Sequence, residues 1–195
     1  AHTEMYFASF VVEASLEQAF NALVGHKLLF QYRKLLQKDS LLRLDERRCL
    51  LRQEDGLVML VISREKADQH MWSTLSFSHR AGSSLAEALQ VTTDSQVLET
   101  PFYKVLNEWQ FLDHGPRHTV IKRRMRDFQQ FGDELLPDLA AQLTEEADEE
   151  NQRIIKAFRN IACEEGRKPE RPITAMSTRA NYAMRQMPAI LDHAA

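Results

Sequence analysis

Residues 99–139 read ETPFYKVLNEWQFLDHGPRHTVIKRRMRDFQQFGDELLPDL, and this stretch decides the fold. Its first part, Tyr103–Leu112, alternates apolar and polar residues, which is the period-2 pattern of a half-buried strand. Asp113–Pro116 has the residues of a tight turn, and Thr119–Phe128 resumes the alternation as a returning strand. The stretch therefore predicts a β-hairpin that leads into a C-terminal helix.

The alternation assigns each residue of the hairpin to one of two faces. One face carries the side chains that we expect inside the protein: Val105, Asn107, Trp109, Phe111, Thr119, Ile121, Arg123 and Met125. Asn107 and Arg123 are polar members of this largely apolar face. Each also has a purely structural interpretation, as a buried amide for Asn107 and as an edge or surface arginine for Arg123.

Upstream of the hairpin, the pattern predicts a strand, two short helical segments and several further strands. Met5–Glu13 is rich in aromatic and β-branched residues, and Ser15 with Gln18 forms a capping box for a helix over residues 16–24. Lys27–Gln37 is interpreted as a helix or helical loop that either packs on the core or acts as a lid pointing Tyr32 into a cavity. Strands are predicted over residues 41–53, with a turn at 45–48, and over residues 57–64, 70–78 and 91–98.

Downstream of the hairpin, residues 132–165 predict one long amphipathic helix. Pro137 would lie in its first turn, and the polar segment Glu146–Asn151 could bend it. We predict a domain over residues 1–166 and a C-terminal extension over residues 167–195, with a short helix at Thr178–Met187. The extension is interpreted as disordered, as docked on the domain, or as docked on a second subunit to give a homodimer.

Composition and charge bear on several classes of function. The net charge of −3 gives no electrostatic case for a nucleic-acid partner, and no apolar run reaches the ~20 residues of a membrane span. We interpret the basic run Lys122–Arg126 and the acidic run Glu145–Glu150 as solvated faces. Cys49 and Cys163 are far apart in the sequence and fit reduced thiols, which predicts a cytoplasmic protein.

The sequence lacks the motifs that identify the common cofactor and metal sites. It contains no P-loop, no glycine-rich dinucleotide motif, no HExxH motif and no CxxC motif. His114 and His118 flank a turn with Asp113 and are interpreted as solvated turn residues rather than metal ligands. The sequence therefore predicts neither a metal nor a cofactor.

Several segments resemble the coenzyme Q-binding, or polyketide cyclase/dehydrase-like, branch of the START-like (SRPBCC) superfamily. Pro101-Phe102, followed by Leu-Asn-Glu-Trp-Gln-Phe at 106–111, is similar to the signature of that branch, and Thr119-Val120 matches its return strand. Residues 10–20 and 153–158 resemble its strand-to-helix start and its last helix. The resemblance covers residues 5–162 and rests mostly on structural positions.

The resemblance implies an α+β helix-grip fold, in which a curved antiparallel sheet wraps around a long C-terminal helix and encloses a deep apolar cavity. Members bind quinones, sterols, lipids, hormones or polyketides, and some catalyse cyclisation or aromatisation. The chain is therefore expected to bind a hydrophobic small molecule, such as a polyketide, a quinone or a lipid. The alternative is a polyketide cyclase or aromatase that folds and deprotonates its substrate in the same cavity.

The expected ligand-binding residues are mainly aromatic and apolar, with one amide and one arginine: Tyr32, Trp72, Phe77, Asn107, Trp109, Arg123 and Met125. In such a cavity Arg123 could hold an enolate or carboxylate, and Asn107 could orient a carbonyl. Tyr32, His70 and His79 are weaker candidates for acid–base chemistry. Convergence of Arg123, Tyr32 and a histidine on one pocket would favour catalysis, whereas an exclusively apolar pocket would favour a carrier.

Overall fold

The computed structural model describes residues 4–24, 41–52, 57–80, 103–131, 138–166 and 176–178, which form one antiparallel sheet and two α-helices. The helices are α1 (Leu16–Leu23) and α2 (Leu139–Glu164). The strands are β1 (Glu4–Val12), β2 (Leu41–Arg43), β3 (Arg48–Arg52), β4 (Leu57–Lys66), β5 (Met71–Arg80), β6 (Tyr103–Asp113), β7 (Thr119–Gln130) and β8 (Met176–Thr178). A 3-10 turn, Ala67–Gln69, joins β4 to β5.

The sheet has eight strands in the order β2-β3-β4-β5-β6-β7-β1-β8. Strands β2 to β7 follow one another as antiparallel neighbours, as expected for a run of hairpins. Strand β1 then pairs with β7, so the first strand lies beside the last strand of this run. This curved sheet with α2 against one face is the helix-grip fold predicted from the sequence.

The predicted hairpin is confirmed as β6 and β7, with the predicted division between the two faces. Trp109 of β6 lies directly opposite Arg123 of β7 and Trp72 of β5, so these three side chains share a face. Gly115 in the connecting loop has a φ of 101°, a conformation that glycine adopts without a steric penalty. Its backbone N–H donates to Oδ1 of Asp113 at 2.9 Å, which is the turn chemistry expected of aspartate.

Strand β7 contains a bulge near its end. Asp127 has a φ of 56°, and the pairing shifts there, because Lys104 lies opposite Gln129 while Leu106 lies opposite Arg126. Because β7 has one additional residue here, the alternation of its side chains between the two faces is shifted by one residue after Arg126.

Both helices pack their apolar sides against the sheet. The predicted capping box of α1 is present, since Gln18 N–H donates to Ser15 Oγ at 3.2 Å and Ser15 N–H donates to Gln18 Oε1 at 3.4 Å. The main buried cluster joins α1, α2 and the helix-facing side of the sheet through side chains such as Phe20, Leu23, Trp72, Trp109, Ile154 and Phe158.

The structure corrects several expectations for α2 and the extension. Helix α2 begins at Leu139 and runs without interruption to Glu164, so Glu146–Asn151 does not divide it into two pieces. Several polar residues of this segment bond to the sheet. Thr178, expected in a short helix, ends strand β8, which pairs with β1 at Phe7–Ser9.

The basic run is not a solvated face, contrary to the sequence interpretation. Arg123, Arg124 and Arg126 are 4%, 5% and 7% exposed, and within the acidic run Glu150 is 8% exposed. The sequence interpretation was wrong because each of these charged side chains has a partner of opposite charge on a neighbouring element. The segments expected at 27–37 and 91–98, and Pro137, lie outside the described residues.

Candidate functional site between the sheet and helix α2

Arg123 is the centre of a buried polar network on the helix-facing side of the sheet. Its Nη2 donates to Oδ1 of Asn107 at 3.2 Å, across the β6–β7 pair. Its Cζ lies 4.1 Å from the centroid of the Trp109 ring, which is the geometry of a cation–π contact. Sequence alternation correctly predicted that Asn107 and Trp109 share one face of β6, and the pairing of Trp109 with Arg123 adds Arg123 of β7 to that face.

The same guanidinium group crosses from the sheet to α2. Its Nη1 lies 3.0 Å from Oδ1 of Asn151, 3.0 Å from Oε1 of Glu150 and 3.5 Å from the carbonyl oxygen of Ala147. Residues 147, 150 and 151 are three and four positions apart, so they lie on one side of the helix. The free-energy cost of burying the arginine charge is therefore offset by the carboxylate and by hydrogen bonds, as a buried charge requires.

Tyr6 of β1 extends the network along α2. Its hydroxyl donates to Oδ1 of Asp148 at 2.5 Å and accepts a hydrogen bond from Nδ2 of Asn151 at 2.8 Å. Asn151 thus contacts Tyr6 through its nitrogen and Arg123 through its oxygen, which fixes the orientation of its amide group. The network connects β1, β6 and β7 to two successive turns of α2.

Strand β5 presents small polar side chains on the same face. Thr74, Ser76 and Ser78 alternate with residues that point to the opposite face of the sheet, and they are 1%, 1% and 0% exposed. The hydroxyl oxygens of Ser76 and Ser78 are buried and have no hydrogen-bond partner within the described part of the chain. Buried hydroxyl groups are normally paired, so these two serines stand out from the rest of the interior.

These serines lie between two separate apolar clusters. The main cluster includes Tyr103 and Val105 of β6, which are opposite Ser78 and Ser76. The second cluster consists of Cys49, Leu51, Met59 and Val61 on β3 and β4, and Met59 and Val61 flank the serines from the other side. Among the described residues the two clusters share no member, and Ser76 and Ser78 of β5 lie between them.

A different charge cluster lies on the opposite face of the sheet. Glu108 is 0% exposed and accepts from Nε of Arg124 at 2.7 Å and from Nε of Arg126 at 2.5 Å. Burial alone would raise the pKa of Glu108, but the two arginine hydrogen bonds and their charges outweigh it, so the pKa lies below its ordinary value. Alternation separates this cluster from Arg123, so the basic run supplies arginines to both faces.

The structure brings together some of the predicted ligand-binding residues and separates others. Trp72, Asn107, Trp109, Arg123 and Met125 all face α2, and the Trp72 and Trp109 rings lie 5.6 Å apart. Phe77 does not belong to this group, because it is five positions from Trp72 in β5 and therefore points to the other face. Tyr32 lies outside the described residues, and so does the side chain of His79.

His70, a weaker catalytic candidate, contacts α1. Its Nε2 lies 2.6 Å from Oε1 of Glu17, and its ring packs edge-on against Phe20 at 5.2 Å between centroids. In the part of the chain that the structure describes, no hydrogen bond joins His70 to Arg123. The convergence with Arg123 that would have favoured catalysis is therefore not seen for His70.

Sequence reasoning missed Glu150 and Asn151 as partners of Arg123, and it missed Tyr6 and Asp148 as further members of the network. The helical spacing of Ala147, Glu150, Asn151 and Ile154 could have placed the two polar residues on the apolar side of α2. Tyr6 gave no such signal, because tyrosine is common in strands whether or not its hydroxyl has a buried partner.

The described residues offer neither a metal site nor a membrane-spanning helix. No group of three or more His, Cys, Asp or Glu side chains within residues 4–24, 41–52, 57–80, 103–131, 138–166 and 176–178 could hold a metal ion. Neither helix within these ranges is both long and apolar enough to cross a membrane.

Comparisons with known proteins give likenesses of structure only. No protein-family model matches the chain, and no curated protein sequence matches it. A conserved protein from Geobacillus kaustophilus superimposes with a TM-score of 0.58 at 9% identity, over 82% of this chain and 96% of that one. The protein XoxI from Bacillus cereus gives 0.55 at 12% identity, over 83% and 97%.

A START superfamily protein from Mycobacterium smegmatis gives a TM-score of 0.49 at 14% identity, over 82% of this chain and 98% of that one. At such identities, the likenesses to the Geobacillus and Bacillus cereus proteins show a common fold. The chain therefore shares its helix-grip architecture with these two bacterial proteins over most of their lengths.

Proposed function

We propose that the chain binds a hydrophobic small molecule between the sheet and α2, above strand β5. The observation that carries this proposal is the row of small buried serine and threonine side chains that lies, among the described residues, between two apolar clusters. A domain usually has one contiguous core with smaller satellite clusters, and here small polar side chains rather than apolar ones lie between the two. Such a row of small side chains between two apolar walls is suited to contact with a flat apolar ligand.

The position of α2 supports the same proposal. Helix α2 is bonded directly to Tyr6 of β1 and Arg123 of β7, and it packs chiefly on β1. Strands are spaced about 4.8 Å apart, and a helix with its side chains is about 10–12 Å wide. Four strand spacings separate β4 from β1, so α2 alone does not cover the second cluster.

The Arg123 network would form one wall of this site. Glu150 neutralises the guanidinium group, so a neutral carbonyl is a better match for this wall than a ligand carboxylate. The buried Nε of Arg123 has no hydrogen-bond partner among the described residues and is the donor that such a carbonyl would meet. In this proposal Trp72, Trp109 and Met125 supply apolar contact area.

Binding is favoured over cyclase-type catalysis because, within the described residues, no acid–base candidate predicted from the sequence bonds to Arg123. His70 contacts Glu17 and Phe20 of α1, and Arg123 is committed to several partners. The assignment to the coenzyme Q-binding or polyketide cyclase-like branch, the identity of the ligand and a cytoplasmic location all remain predictions.

A space-filling substitution tests the proposal. Ser76→Phe points a large ring into the proposed site, whereas Leu75→Phe places the same ring on the opposite face of β5. We expect Ser76→Phe to remain folded by circular dichroism and to lose binding of the apolar fluorophore 1-anilinonaphthalene-8-sulfonate. Leu75→Phe should bind this fluorophore as the wild type does.

Two outcomes would contradict the proposal. If the site is already filled by protein, Ser76→Phe will overpack the core and unfold the domain. If Ser76→Phe stays folded and binds the fluorophore like the wild type, the ligand space lies elsewhere. Native mass spectrometry of the protein purified without denaturation would then show whether any apolar molecule is retained.

A further inference from the structure

The hydroxyl groups of Ser76 and Ser78 indicate a second property of the ligand besides its hydrophobicity. Both residues are essentially inaccessible to solvent, and both hydroxyl oxygens lack a hydrogen-bond partner within the described residues. An unpaired buried hydroxyl lowers the stability of a folded protein, because it has given up its hydrogen bonds to water. Alanine at either position would avoid this penalty, so the serines require another explanation.

The geometry of β5 sets the spacing between the two hydroxyl groups. Residues two apart in a strand project to the same face, and each residue advances the chain by about 3.3 Å. The side chains of Ser76 and Ser78 therefore originate about 6.6 Å apart on one line. No bulge interrupts β5 here, because Ser76 and Ser78 pair in continuous register with both β4 and β6.

The surroundings of each hydroxyl are apolar on both sides. Ser76 lies between Val61 and Val105, and Ser78 lies between Met59 and Tyr103. On the two neighbouring strands each serine is therefore flanked mainly by apolar side chains, and along β5 its nearest neighbours on this face are serine or threonine. A pure hydrocarbon would leave both hydroxyl groups unpaired after binding, which would weaken its affinity.

We propose that the ligand is an apolar molecule with at least two oxygen groups, hydroxyl or carbonyl, spaced along one edge to meet Ser76 and Ser78. This inference rests on the proposed function, since it requires a ligand above β5. A serine hydroxyl both donates and accepts, so it can pair with either kind of oxygen. Molecules with a single polar end, such as simple fatty acids, would satisfy at most one of the two serines.

Three compounds with the same ring system test this proposal: naphthalene, 2-naphthol and 2,7-dihydroxynaphthalene, whose two hydroxyl groups lie along one edge. Their intrinsic fluorescence allows titration with the wild-type protein. Each hydrogen bond gained should tighten binding by about 3- to 10-fold, so we expect affinity to rise in that order. Ser76→Ala and Ser78→Ala should each weaken binding of the dihydroxy compound by a similar factor and leave naphthalene binding unchanged.

Ser73→Ala provides the matched control. Ser73 is equally buried in β5, but it lies on the opposite face of the strand, so its replacement should not alter the order of affinities. Thermal denaturation adds a second readout. Without ligand, Ser76→Ala and Ser78→Ala should melt at or above the wild-type temperature, because they remove unpaired hydroxyl groups.

The outcomes separate this inference from the proposed function. The inference is wrong if the wild type binds all three compounds equally, or if both alanine variants keep the wild-type order of affinities. Either result would show that the serines do not bind oxygen groups of the ligand. Binding of the anilinonaphthalene fluorophore would in that case still support a ligand site. If the wild type binds neither the fluorophore nor any naphthalene, the proposed function fails as well.

Discussion

Arg123 of β7 and Asn151 of α2 are joined by a hydrogen bond of 3.0 Å in the interior of the protein. The bond is part of a network that fixes α2 to the sheet at a defined register, because Asn151 also donates to Tyr6 of β1. Buried polar networks in which the members are paired can select one arrangement of packed elements over others. Two predictions follow from the partners in this network.

Replacement of Arg123 by methionine should lower the free energy of unfolding by about 3–5 kcal/mol, because Glu150 would remain buried without its cation. Chemical denaturation monitored by tryptophan fluorescence measures this change. Lys122→Met is the control, since Lys122 is the neighbouring residue on the other face, and we expect a change within about 0.5 kcal/mol. Adding Glu150→Gln to Arg123→Met should recover part of the loss. A cost for Arg123→Met below about 1 kcal/mol would show that the ion pair does not hold α2 in place.

Replacement of Tyr6 by phenylalanine removes one hydroxyl group and should cost about 1–3 kcal/mol, since the hydroxyl bonds to both Asp148 and Asn151. Equilibrium denaturation would measure this cost. If Tyr6 and Arg123 act through the same amide, the double variant Tyr6→Phe/Arg123→Met should lose less than the two single changes added together. Strictly additive losses would indicate that the two residues act independently.

Glu108 should make stability depend on pH in the acidic range. Its folded-state pKa lies below the ordinary value of 4.5, because the hydrogen bonds from Arg124 and Arg126 outweigh its burial. Its contribution is therefore fully present above pH 4.5 and is lost as the pH falls through the folded-state pKa. Glu108→Gln should lower the free energy of unfolding at neutral pH, and this free energy should decline less upon further acidification than in the wild type. Urea unfolding at a series of pH values measures both effects.

The exposed residue Glu145 supplies the control, and Glu145→Gln should follow the wild-type curve. Parallel curves for Glu108→Gln and the wild type would argue against this role.

The strands could be predicted from the sequence because their alternation is strong. Residues 103–112 assign Val105, Asn107 and Trp109 to one face, and the register of β6 with β7 confirms the assignment. The hairpin turn was equally clear, since Asp113 and Gly115 are residues that such a turn needs. The capping box of α1 is a similarly local signal. What these predictions share is that each depends on residues close together in the chain.

The burial of the charged residues could not be predicted in the same way. Whether Arg124 is solvated depends on Glu108, which lies directly opposite it on another strand, and Arg123 depends on Glu150, which lies on α2. Charge composition does not report such pairings. Strand β8 was missed for a related reason, since three residues are too few to show a period and its formation depends on the edge of β1.

The interior location of β1 also constrains the order of events during folding. Val12 pairs with Thr119 and Phe7 pairs with Thr178, so neither edge of β1 is satisfied by residues near it in the chain. Closing such long loops costs conformational entropy before any strand pairing compensates, so topologies of this kind fold slowly. While the chain is being synthesised, both edges of β1 stay unpaired until β7 has emerged from the ribosome. The exposed backbone of β1 is therefore the segment of the nascent chain that most needs protection from premature pairing.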